Sequence, residues 1–63
     1  MNLNTLLKNT ADSQKLCITV DGRHYSGHWY NDNILELLSM YKYQMVDITV
    51  ENSDMIAATI RRF

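Results

Sequence analysis

Leu16-Cys17-Ile18-Thr19-Val20-Asp21-Gly22-Arg23-His24-Tyr25-Ser26-Gly27-His28-Trp29-Tyr30 is the stretch that decides the fold. Residues 16–20 alternate large apolar side chains with Cys17 and Thr19, the period of a strand that buries one face. Asp21-Gly22 follows at once. Both central residues of a type I′ turn need positive φ, which Gly adopts freely and Asp tolerates, so this pair predicts a two-residue hairpin. The turn sets the register, with Val20 opposite Arg23, Ile18 opposite Tyr25 and Leu16 opposite Gly27. The second strand then runs roughly from Arg23 to Tyr30. It places Tyr25 and Trp29 on the buried face, and His24, Ser26, His28 and Tyr30 on the other face beside Cys17 and Thr19.

Before this hairpin, Leu3, Leu6 and Leu7 fall at helical spacing, with Asn2 or Asn4 available as the cap. The polar run 9–14 reads as the loop between that short helix and the first strand. After the hairpin, Asn31-Asp32-Asn33 breaks the strand pattern, and Asn33 with Glu36 resembles a capping box. Ile34, Leu37, Leu38 and Tyr41, widened by Leu35, predict a main helix from about Asp32 to Lys42. Val46, Ile48 and Val50 alternate with polar residues as a third strand, and Ile56, Ala58 and Ile60 supply the fourth. Placing Val50 opposite Ile56 also pairs Ile48 with Ala58 and Val46 with Ile60, leaving Asn52-Ser53-Asp54 as a three-residue loop with room for a bulge. The expected fold is α+β, ordered α-β-β-α-β-β: a four-stranded antiparallel sheet with helix packed on one face, in one compact domain over residues 1–63. The spatial strand order stays open. Ile18, Val20, Trp29, Leu37, Leu38, Ile48, Val50 and Ile60 are the expected core.

A chain of 63 residues with 46% hydrophobic content, two glycines and no proline has the composition of a small folded domain. It is too short for several domains or a deep catalytic cleft. Its net charge of −1 gives no overall attraction to nucleic acid or to an anionic membrane. Cys17 is the single cysteine and has no internal partner, which points to a reducing compartment. The start Met1-Asn2-Leu3-Asn4 lacks a signal-peptide pattern, and no apolar run nears the roughly 20 residues that span a bilayer. The expected location is the cytoplasm, that of the host if the chain is phage-encoded, with no membrane association.

Cys17, His24, His28 and Asp32 are ligand types that zinc uses. On one extended strand, however, His24 and His28 lie roughly 13 Å apart at about 3.3 Å per residue, so a shared ion would need the strand to break near Gly27. Cys17 could face either histidine diagonally across the hairpin. A nucleophilic pair there would have neither a third orienting residue nor a recognisable oxyanion hole. No catalytic residue, metal ligand or cofactor is therefore expected. Arg61-Arg62-Phe63, Lys42 between two tyrosines, and Arg23 are the features that suit nucleic acid. These bases are dispersed, and the chain's six basic residues are outnumbered by its seven acids. Tyr30 and Tyr43 lie at the ends of the main helix, where partly exposed rings can anchor a protein partner.

The opening Met1-Asn2-Leu3-Asn4-Thr5-Leu6-Leu7, the strand Cys17-Ile18-Thr19-Val20 with Asp21-Gly22 and His24-Tyr25, and the later helix and hairpin resemble small phage-encoded proteins that bind and block host machinery. Anti-CRISPR proteins and phage inhibitors of host DNA enzymes are among these. The resemblance is one of architecture and covers most of the chain. Members of such groups often mimic DNA with a strongly acidic surface, from which the net charge of −1 departs, so no binding residue is carried over. The expected function is that of a non-catalytic protein-binding module, a phage or mobile-element accessory protein that inhibits or modulates a larger host protein or complex by surface occlusion. Tyr30, Tyr43, His28, Arg61 and Arg62 form the expected partner-binding set. The alternative is a small nucleic-acid-binding regulator that uses the basic C-terminus and the aromatic side chains. A homodimer through the sheet face or an edge strand is also expected, because so short a two-layer fold has little surface to bury by itself.

Overall fold

The computed structural model describes residues 1–61. Its elements are α1 (Leu3–Lys8), β1 (Lys15–Val20), β2 (Arg23–Gly27), α2 (Asp32–Tyr41), β3 (Val46–Glu51) and β4 (Met55–Ile60). This is the α+β order expected from the sequence. The β1–β2 turn has positive φ at Asp21 (52°) and Gly22 (78°). Val20 pairs with Arg23, Ile18 with Tyr25 and Leu16 with Gly27, the register that the turn chemistry predicts.

The sheet is mixed rather than wholly antiparallel. Its strand order is β2-β1-β4-β3, and the two central strands, β1 and β4, run parallel from Lys15↔Met55 to Thr19↔Thr59. The reason lies in residues 28–45, which contain α2. Such a helical crossover carries the chain from the end of one strand back to the start of another, so the strands it joins run the same way. β2 and β3 are thereby parallel. Each is antiparallel to its hairpin mate, so β1 and β4 must be parallel as well.

In the second hairpin Val46↔Ile60 and Ile48↔Ala58 pair as expected, but the register shifts between Ile48 and Val50, and Val50 faces Ala57 instead of Ile56. The extra residue of this bulge turns Val50 to the opposite face. Val50 is accordingly 42% exposed rather than part of the core. The loop is Asn52-Ser53-Asp54, where Asn52 Oδ1 accepts the N–H groups of Asp54 and Met55 at 2.9 and 2.8 Å.

One buried cluster joins Leu3, Leu6 and Leu7 of α1 with Ile34 and Leu37 of α2 and the inward residues of β1, β3 and β4. Trp29, Leu38 and Ile48 pack against this cluster while remaining partly exposed, a correction to the expected core. A helix of less than two turns is unstable by itself. α1 is secured by Asn2 Oδ1, which accepts from Thr5 N–H at 2.8 Å, and by backbone bonds from Leu3 and Asn4 to the carbonyls of Gln44 and Lys42, both 3.0 Å.

The other sheet face carries Cys17, Thr19 and Ala57, half-buried, with His24, Ser26, Asp47 and Thr59 exposed. Accessible surface totals 4112 Å², close to the roughly 4,200 Å² that the scaling law gives a monomer of this mass. The chain is thus as compact as other monomers of its mass, and the bare sheet face is the surface that bears on pairing of two copies. Among the described residues no helix is long and apolar enough to cross a membrane.

Candidate functional site

β2 ends at Gly27 and not at Tyr30. Gly27 has φ 147°, a conformation that L side chains avoid, and a Cβ there would sit 2.7 Å from Asn31 Oδ1. That same oxygen accepts the N–H of His28 at 2.6 Å, and Asn31 N–H donates to His28 C=O at 3.0 Å. Residues 28–31 therefore close into a corner that swings the three aromatic residues off the sheet. The expected capping box does not form. Asn31 is the residue that caps α2, its side chain is engaged by His28, and Asn33 Nδ2 reaches back to Ser26 C=O at 2.9 Å.

The corner stacks its rings. His28 lies parallel to Tyr30, with centroids 5.4 Å apart and planes 9° apart. Trp29 meets Tyr30 edge-on at 5.7 Å and 88°, the geometry that ring quadrupoles favour. Trp29 Nε1 donates to Asp12 Oδ1 at 2.7 Å, pinning the indole to the loop after α1. Tyr30, backed on two sides, is still 47% exposed.

Beside Trp29 a cleft of about 420 Å³ opens between the helices. Asn4, Leu7 and Lys8 of α1 form one wall, and Leu35 and Leu38 of α2 form the other. Thr10, Asp12 and Trp29 complete the lining. Asn4, Leu7 and Lys8 share a helix face because they fall at i, i+3 and i+4, and Leu35 and Leu38 do so at i and i+3. Thr10 Oγ1 bonds the carbonyl of Leu6 at 2.7 Å, which ties the loop to the last turn of α1.

The expected partner-binding residues do not form one patch. His28 and Tyr30 sit together in the corner. Tyr43, 74% exposed, lies past the other end of α2, a helix of ten residues and so about 15 Å long; Lys42 Nζ is 5.5 Å from its ring centroid. Arg61 forms a two-pronged ion pair with Asp47, with Nε donating to Oδ2 at 3.0 Å and Nη2 to Oδ1. The hydrogen bond from Arg61 holds the Asp47 carboxyl below its ordinary range, and the same bond raises Arg61. Arg62 lies outside the described residues.

The histidines go separate ways. His24 Nδ1 shares a 2.9 Å hydrogen bond with Thr19 Oγ1, and His28 is stacked in the corner. The strand does end at Gly27, as a shared ion would require, yet among the described residues no three His, Cys, Asp or Glu side chains gather. Cys17 is half-buried with a free thiol.

No protein-family model matches the chain, and neither a curated protein nor a solved structure matches it.

Sequence reasoning did not single out Lys8, Asp12 or Leu35 as site residues. Leu35 carried a signal: it extends the apolar stripe of α2 beyond what one buried face needs, so it marks apolar surface left outside the core. Asp12 and Lys8 carried none, because their role depends on where Trp29 goes once β2 stops.

Proposed function

We propose that this chain is a non-catalytic protein-binding module that acts by covering a surface of a larger protein, in the manner of the phage-encoded inhibitors it resembles. The contact surface is the 28–31 corner with the adjoining interhelical cleft. One observation carries this reading: Tyr30 presents half of its surface to solvent while His28 and Trp29 hold its ring from two sides. An aromatic side chain fixed before binding loses little rotamer freedom on association, and such residues dominate the energetics of protein interfaces. Tyr43 is a separate anchor at the far end of α2. The nucleic-acid alternative loses ground at Arg61, whose guanidinium already has a carboxylate partner in Asp47.

The test is capture from a host-cell lysate on the immobilised chain, with and without nuclease, alongside a Tyr30→Ala variant checked for folding by circular dichroism. A defined protein retained after nuclease treatment, and at least tenfold depleted on Tyr30→Ala, supports the proposal. Retention that disappears with nuclease assigns the chain to nucleic acid instead.

A further inference from the structure

We draw no further inference here: the strongest candidate, the bare outer face of the sheet on which Cys17, Ala57 and Val50 lie in one registered row across β1, β4 and β3, carries nothing because nothing in the structure shows what covers it.

Discussion

Replacing Gly27 with Ala tests the corner on which the candidate site is built. Two costs add. A non-glycine residue held at φ 147° carries strain of about 1–3 kcal/mol. The new Cβ would also arrive 2.7 Å from Asn31 Oδ1, which must withdraw from its 2.6 Å bond with His28 N–H; a lost hydrogen bond of this kind costs about 0.5–1.5 kcal/mol. Together they give about 2–4 kcal/mol. A chain of this size has about 3–9 kcal/mol in all, at roughly 0.05–0.15 kcal/mol per residue, so the variant should lose a large share of its stability. With a urea slope near 1 kcal/mol per molar for so small a protein, the midpoint should fall by about 2–4 M. Asn31→Ala already lacks the carboxamide, so Gly27→Ala introduced into that background should cost about 1 kcal/mol less than in the wild type, a coupling measurable by a double-mutant cycle. A Gly27→Ala midpoint within about 0.5 M of wild type would refute both the strain and the contact with Asn31, and strictly additive single variants would refute the contact alone.

On α2, Leu37→Ala should cost about 2–5 kcal/mol because Leu37 is 2% exposed, whereas Leu38→Ala, on the cleft wall, should cost about 1 kcal/mol; equal losses in urea melts would contradict the assigned faces. Val50→Thr should stay within about 0.5 kcal/mol of wild type, since the bulge exposes this side chain, and a larger loss would mean that Val50 is buried after all. The Asp47 carboxyl titrates below its usual 3.8 in the fold because Arg61 bonds it, so its contribution to stability is present above that value and is lost as pH falls through the lower folded value. Asp47→Asn should therefore flatten the acid limb of the stability curve below about pH 4, and an unchanged limb in thermal melts between pH 2 and 5 would contradict the pairing.

Turn chemistry made the first hairpin readable, because Asp21-Gly22 admits only a narrow class of turns and a two-residue turn leaves one register. Helical spacing located both helices to within a residue or two. The parallel seam was not readable, since apolar alternation in β1 and β4 is the same whichever direction a neighbour runs. Val50 misled for a related reason: a bulge adds one residue without altering the alternation on either side of it, so the pattern persists while the face changes. The corner was hidden most deeply. Gly27 fits a strand pattern as well as it fits a break, and only the combination of its positive φ with the Asn31 side chain four residues later, a tertiary fact, sends Trp29 to Asp12 and not onto the sheet.

The parallel seam also dictates how the chain must assemble. Every pair from Lys15↔Met55 to Thr19↔Thr59 joins positions 40 apart, and closing a loop of that length costs roughly 3 kcal/mol of chain entropy, whereas each hairpin closes across only a few residues. Local pieces can thus flicker into existence early, yet a lone two-stranded hairpin is marginal in water. Leu16, Ile18 and Val20 on one side of the seam, and Ile56, Ala58 and Ile60 on the other, find cover only once the distant halves meet. Severing the backbone within the 28–45 crossover would leave two fragments, neither able to hold its shape until it encountered the other, so that folding would become a bimolecular reaction whose rate rises with concentration.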